Sequence, residues 1–345
     1  MAYTTINKPT DYFNTKLYTG DGTSSNAITG VGFQPDLTWI KARSDTTWHH
    51  LFDAVRGANK ALNSNVTNAE GTVATFPSFD SDGFTVNGAN AGNLNTSSQT
   101  NASWNWLANG AGSANTDGSI NSTVSANTTS GFSIGTYNGS GSDNTVGHGL
   151  GVAPDMIIVK CKSTAHDWVV YHSALGNTKI LTLNATTAAQ SAGGWQNTSP
   201  TSTVFSIDNA ANSLNQSGQS FVFYAFAEKQ GYSKFGSYTG NGSASSGTFI
   251  YTGFKPAFVM IKSSSSAQSW SILDIKRDVN PNAKVLWPND NYAEYDETQG
   301  VDFLSNGFKN NESGAGFNGS GASYIYMAFA EAPLVGTNNV PCTAR

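Results

Sequence analysis

Apolar residues along this chain come in short runs. Each run is closed by a turn-forming cluster such as TGDG, NGSG, TGNG, SDG or SNG. Runs of this length, rich in β-branched and aromatic residues, predict strands joined by tight turns. One pattern occurs three times: FQPDLTWIK at 33–41, VAPDMIIVK at 152–160 and FKPAFVMIK at 254–262. Proline in third place marks the entrance to a strand, where no ladder donor is needed. Beyond it both alternating faces are apolar. Met156 and Ile158 oppose Ile157 and Val159, and Phe258 and Met260 oppose Val259 and Ile261. A solvated sheet face would carry polar alternates. The pattern therefore predicts a central strand covered on one side by its own sandwich. On the other side it needs a neighbouring unit, a long loop or another subunit. In the first copy Thr38, and Asn105 on the closing strand, interrupt the pattern and predict a wetter face.

The repeated strand belongs to a longer order of features. Before it stands Tyr-x-Gly-x-Gly, from Tyr18, Tyr137 and Tyr238. After its lysine comes a tryptophan, Trp48, Trp168 or Trp270, and then Lys-x-Leu-x-x-Asn from Lys60, Lys179 and Lys284. Aromatic strands close each unit: ASWNWLA at 102–108, SFVFYAFAE at 220–228 and SYIYMAFAE at 323–331. The expected fold is all-β, with three tandem homologous β-sandwiches of jelly-roll-like character at 12–110, 131–229 and 230–332. An N-terminal arm (1–11), a Gly-rich polar linker (111–130) and a C-terminal tail (333–345) complete it. A period near 100 residues is that of tandem domains rather than of a solenoid.

Composition sharpens this picture. Only 12% of the 345 residues are charged, and the net charge is −5. Polarity is carried by Gly, Ser, Thr and Asn, which suits turns and strands better than helices. The 8 Trp, 13 Tyr and 19 Phe residues exclude a disordered chain. Without a basic stripe, nucleic acid is not an expected partner. No apolar run is long enough for a membrane-crossing helix, so membrane insertion is not expected either. The opening MAYTTINKPTDYF lacks the shape of a secretion signal. Cys161 and Cys342 have no metal-site spacing, and a bridge between them is not the expected state.

Candidate chemistry is sparse. His49 and His50 are adjacent, with Asp53 following, and adjacent side chains on a strand point to opposite faces. Asp80, Asp82 and Gly83 resemble part of a calcium loop but lack its full ligand pattern. Glycosidase chemistry needs two carboxyl groups across a cleft. The acids Asp290, Glu294, Asp296, Glu297 and Asp302 cluster, yet they lie in one unit only and read as a solvated loop. Trp48, Trp168 and Trp270 have two readings, as core anchors or as aromatic faces for a sugar, and they are the candidate ligand-contact residues. Lys41, Lys160 and Lys262 read as strand-end charges at the water boundary, with their stems over apolar surface.

The segments INKPTDYFNTKLYTGDG, KQGYSKFGSYTGNG and YIYMAFAEAP resemble virion-associated proteins of tailed bacteriophages, particularly those of marine phages. The resemblance runs over essentially the whole chain and carries no functional-site motif. It implies a non-enzymatic structural protein of the virion, made in the host cytoplasm and requiring no cofactor. The expected place is a tail fibre or appendage touching a host-surface glycan. Its expected partners are other virion proteins and further copies of itself, as in a trimer. A capsid decoration or tail-hub component, and a polysaccharide depolymerase, are the competing expectations. Three units in one chain could also stand in for a trimer by themselves.

Overall fold

The computed structural model describes residues 3–88, 94–208, 212–338 and 340–341. The fold is all-β, with one four-residue helical turn at Asn212–Asn215 among the described residues. In each unit an opening, a closing, a proline and a fourth strand are hydrogen-bonded side by side in that order. The fourth is called the edge strand, although in unit two it pairs further with Lys179–Thr182. In unit one these are Phe13–Thr19, Thr100–Trp106, Leu37–Ala42 and His50–Asp53. In unit two they are Phe132–Asn138, Ser220–Phe226, Met156–Cys161 and Val169–His172. In unit three they are Ser233–Thr239, Ser323–Pro333, Phe254–Ser263 and Ser271–Asp274. All neighbours are antiparallel, with Phe13, Trp106 and Leu37 in register in unit one, and Phe132, Phe226 and Met156 in unit two. The proline and closing strands are thus interior, as their doubly apolar character requires.

A second sheet, of three, two and four strands in units one, two and three, faces each of these. It pairs Asn26–Thr29 with Gly83–Val86, Asn144–Gly147 with Val204–Ile207, and Phe249–Tyr251 with Gly307–Asn310. Alternate residues of the proline strand fill the resulting sandwich: Ile40 in unit one, Ile157 and Val159 in unit two, Val259 and Ile261 in unit three. The other alternates, Leu37 and Trp39, Met156 and Ile158, and Phe258 and Met260, enter one common cluster to which all three units contribute. The covering of the second face is therefore a neighbouring unit of the same chain. Trp106, Phe226 and Phe329, at equivalent places on the three closing strands, form a triangle at its centre. Their ring centroids lie 6.2, 5.8 and 6.1 Å apart.

Polar contacts between units follow the same cyclic order. The Tyr224 hydroxyl donates to Asp53 at 2.8 Å, and the Trp104 indole to Asp274 at 3.0 Å. In the third place His172 Nε2 meets the Tyr326 carbonyl at 3.1 Å. Asp53 and Asp274 are buried and each is paired with an arginine three residues on, Arg56 and Arg277. A buried carboxylate needs such a partner. Unit two has Leu175 where the others have arginine and uses a neutral imidazole instead, held neutral because burial pushes the His172 pKa down to about 4.

The Tyr-x-Gly-x-Gly turns are closed by a partner that the sequence reading did not identify. Tyr18, Tyr137 and Tyr238 donate to the carbonyls of Leu94, Leu214 and Phe317 at 2.8, 2.6 and 2.6 Å. The next residues, Asn95, Asn215 and Asn318, are fully buried. Each side-chain oxygen accepts the amide between the two glycines, at Asp21, Ser140 and Asn241, at 3.1, 2.9 and 2.9 Å. The first glycine is required by close approach. A Cβ at Gly20, Gly139 or Gly240 would collide with the backbone oxygen of Thr96, Gln216 or Gly319.

Several expectations are corrected. Residues 111–130 are not a bare linker. Ser113–Asn115 and Ser122–Asn127 form two strands that extend the unit-two sheet beyond its opening strand. The turn-rich composition concealed them because only Val124 is a buried core residue there, with Ile120 and Ala126 packed partly buried beside it. The described part of the arm, residues 3–11, is docked. Ile6 joins the common cluster, Tyr3 donates to the Gly253 carbonyl at 2.8 Å, and Asn7 accepts from Thr337 of the tail at 2.8 Å. Thr38 and Asn105 are fully buried, so the expected wetter face of unit one is not wet. Cys161 is buried, and Cys342 lies outside the described residues.

The three lysines do not stand at the water boundary. Lys41, Lys160 and Lys262 are all fully buried. Their ammonium groups donate to the next residue's carbonyl, Ala42, Cys161 or Ser263, at 2.6, 2.9 and 2.6 Å. Lys160 and Lys262 also reach into the preceding unit, to the carbonyls of Thr67 and Thr186 at 3.0 and 3.1 Å. A strand-end lysine reads as solvated in sequence because its partners lie in a different unit.

Two outcomes are expected. Because the common cluster joins all units, chemical denaturation should give one transition, and Phe329→Ala should lower stability by about 3–5 kcal/mol while keeping it single. Separate transitions for separate units would contradict this packing. Burial also pushes each of the three lysines from 10.5 down to about 8. Above that pH the unfolded chain binds more protons than the folded one, so stability should rise from about pH 8 to pH 9.5. Denaturation midpoints across that range check the sign, and Lys262→Met should flatten the rise by roughly a third.

Candidate functional site

The edge strand of each sandwich is followed by the Lys-x-Leu-x-x-Asn segment, and the final asparagine fixes the entrance to the edge strand. Asn65, Asn184 and Asn289 accept the backbone N–H of His49, Trp168 and Trp270 at 3.0, 2.8 and 2.8 Å. This register corrects the sequence reading of unit one. The residue equivalent to Trp168 and Trp270 is His49, not Trp48. The lysine-to-tryptophan spacing of unit one is one residue shorter, and on an extended chain a one-residue displacement turns a side chain to the opposite face.

The consequence divides the three candidate tryptophans. Trp168 and Trp270 are fully buried, and their indoles donate across units to the carbonyls of Asn63 and Thr182, both at 2.9 Å. With both faces packed, neither offers a ring to a ligand. Trp48 is 44% exposed. His49 fills the vacated core position. It stacks on Trp104 at a 6.4 Å centroid distance, and its Nδ1 accepts the Trp39 indole N–H at 2.9 Å. Burial pushes its pKa well down, so the ring is neutral with its proton on Nε2. The Trp287 carbonyl stands where Asn63 and Thr182 stand in the other units, yet Nε2 reaches it with no hydrogen bond of normal geometry. A buried donor without a partner costs about 1–3 kcal/mol. Placing tryptophan outside at position 48 is thus accompanied by a poorer core.

Trp48 borders a cleft of about 400 Å³ lined also by Thr47, His50, Asn63, Asn68 and Asn291. No carboxylate lines it. His50 is oriented by Asn63, whose Nδ2 lies 3.0 Å from His50 Nδ1. Equivalent clefts lie beside the other two edge strands. That of unit two, about 340 Å³, presents Asp167, Val169 and Thr182 where unit one presents Trp48, His50 and Asn63. That of unit three, about 390 Å³, presents Ser269, Ser271 and Trp287. One location is therefore built three times with three chemistries, and the sequence signal for it was the in-register comparison of the segments after each lysine.

Of the remaining candidates, Asp80, Asp82 and Glu294 have structural roles. Asp82 accepts the backbone amides of Gly30 and Gly32 at 2.9 and 2.7 Å, and Asp80 accepts Ser78 and Thr85 at 2.8 and 2.7 Å, so both close turns. Glu294 is held by both nitrogens of Arg43, at 2.9 and 2.8 Å, and by Arg277 at 3.1 Å, which clamps units one and three together. The arginines hold its pKa below the ordinary value although burial opposes this. The Glu297 side chain lies outside the described residues. No group of three or more His, Cys, Asp and Glu suited to a metal is found among the described residues.

The chain belongs to the family described as Domain of unknown function (DUF7483), whose model matches residues 8–333. That span covers all three units. A comparison with curated proteins finds no significant match.

The divided tryptophans give a direct expectation. Trp168→Ala should cost about 3–5 kcal/mol of stability, and Trp48→Ala should stay within about 0.5 kcal/mol of the parent. Urea denaturation of the two variants checks it.

Proposed function

We propose that this member of the DUF7483 family is a structural component of a tailed-phage virion, a tail fibre or appendage that contacts a host-surface glycan through the Trp48 cleft. The observation that carries the reading is the exposed indole of Trp48 beside the amides of Asn63, Asn68 and Asn291. An aromatic face covers the C–H face of a pyranose, and amides answer its hydroxyls with paired donors and acceptors. A cleft lined without carboxylates suits a neutral or acidic sugar. The phage setting rests on the sequence resemblance of the opening, joining and closing segments. The compact clustering of three sandwiches in one chain suits a protein exposed outside the cell.

A structural role without receptor contact is the second reading. It is favoured by Phe249 and Tyr251, which are 44% and 54% exposed on a sheet-edge strand of unit three and offer an apolar place for another virion protein.

Glycan-array and whole-cell adsorption measurements on the purified protein test the first reading. Retention on a defined glycan is expected, and Trp48→Ala should weaken it by about tenfold or more. Absence of retention on any glycan or permissive host, or retention indifferent to Trp48→Ala, would overturn it.

A further inference from the structure

We infer that the equivalent cleft of unit three is a second and chemically different site, one that takes an organic ammonium group: the cation of an amine-bearing sugar or of a methylated ammonium headgroup. Its wall carries Trp287, Tyr292, Asp290 and Glu312, with Gln268 and Ser269 beside them. Trp287 and Tyr292 meet edge to face at 6.3 Å and 87°, and Tyr295, outside the cleft lining, lies 5.8 Å from Trp287 with its ring tilted by 37°. Tyr292 and Tyr295 are 58% and 54% exposed, so these rings are presented to solvent. Aromatic faces attract a cation through the ring quadrupole, and they do so best when a carboxylate supplies the opposite charge nearby. Among the described residues no Lys, Arg or His lines the cleft. Lys41, whose charge acts together with that of Asp290, is fully buried and already donates to the carbonyls of Ala42 and Asp45. Its ammonium is therefore not available to fill the place of a ligand cation.

The contrast with unit one supports this assignment. The same location carries Trp48, His50 and amides there, without a carboxylate, and the unit-two location has Asp167 and Asp208 but no aromatic ring. Only the unit-three cleft combines rings with negative charge. One loop separates the first and third sites, since Asn291 lines the Trp48 cleft while Asp290 and Tyr292 line the other. The inference does not depend on the glycan reading of the Trp48 cleft, and its test must keep the two sites apart.

Ligand-observed NMR with the full chain provides that test, using glucosamine, choline and, as the uncharged control, N-acetylglucosamine. Saturation transfer is expected to glucosamine or choline, and which of them responds distinguishes a hydroxylated from a methylated source. The signal should fall at least about fivefold in Tyr292→Ala and in Glu312→Gln, and should decline between low and high salt. Trp48→Ala should leave it unchanged. Tyr292 is exposed, so its truncation is compatible with folding, which the unchanged denaturation midpoint would verify. Transfer to neither cation, equal transfer to N-acetylglucosamine, or loss with Trp48→Ala but not with Tyr292→Ala would overturn the assignment.

Discussion

The structure depends on burying the second face of three sheets. A proline strand such as Met156–Cys161 has apolar side chains on both sides, and its own sandwich can cover only one. Left in water, the other face would expose Met156 and Ile158 together with the aromatic residues of the adjoining closing strand. Each fully buried side chain of that size is worth about 1.5–3 kcal/mol. Three such faces in one chain satisfy each other, with Trp106, Phe226 and Phe329 at the point where they meet. The rest of the architecture follows from closing that cluster, including the docked arm, the buried lysines and the clamp on Glu294.

The threefold plan is kept where packing demands it and relaxed where hydrogen bonds can be exchanged. Three asparagines, Asn95, Asn215 and Asn318, keep one role at the glycine turns because only a side chain with both donor and acceptor fits a buried turn. The interface position is less strict. Asp53 and Asp274 bring a charge and an arginine, while His172 brings neither and still meets a partner. Such exchange works because what the interface requires is satisfaction of polar atoms, not a particular residue. His49 marks the limit, since it replaces an indole whose cross-unit bond it does not reproduce.

The sequence disclosed the elements that local pattern controls. Period-two alternation separated the sandwich-facing residues from those of the common cluster, residue by residue, in units two and three. Turn signals located the glycine loops. What the sequence hid depends on partners far along the chain. Lys160 looks solvated until Thr67 is brought to it, and Glu294 looks like part of an acidic loop until Arg43 arrives from 251 positions away. The strands at 113–115 and 122–127 were obscured because their polar residues are ordered by pairing, 113–115 with 122–127 and 122–127 with the opening strand of unit two, rather than by their own hydrophobicity. The clefts were partly legible. Trp48 was singled out, but its register was mistaken by one residue, and Trp287 became visible as a candidate only when its neighbours Tyr292 and Tyr295 were placed around it.

Covalent continuity between the three units has a consequence for diversification. In an assembly of three identical subunits, any substitution is copied around the axis, so its benefit in one position must outweigh its harm in the other two. Here each unit has its own codons. Tryptophan can be moved outward at position 48 while Trp168 and Trp270 continue to brace the interior, and acids can gather beside Trp287 while the Trp48 cleft keeps its amides. A single polypeptide thereby retains the mechanical closure of a trimer while its three surfaces diverge independently.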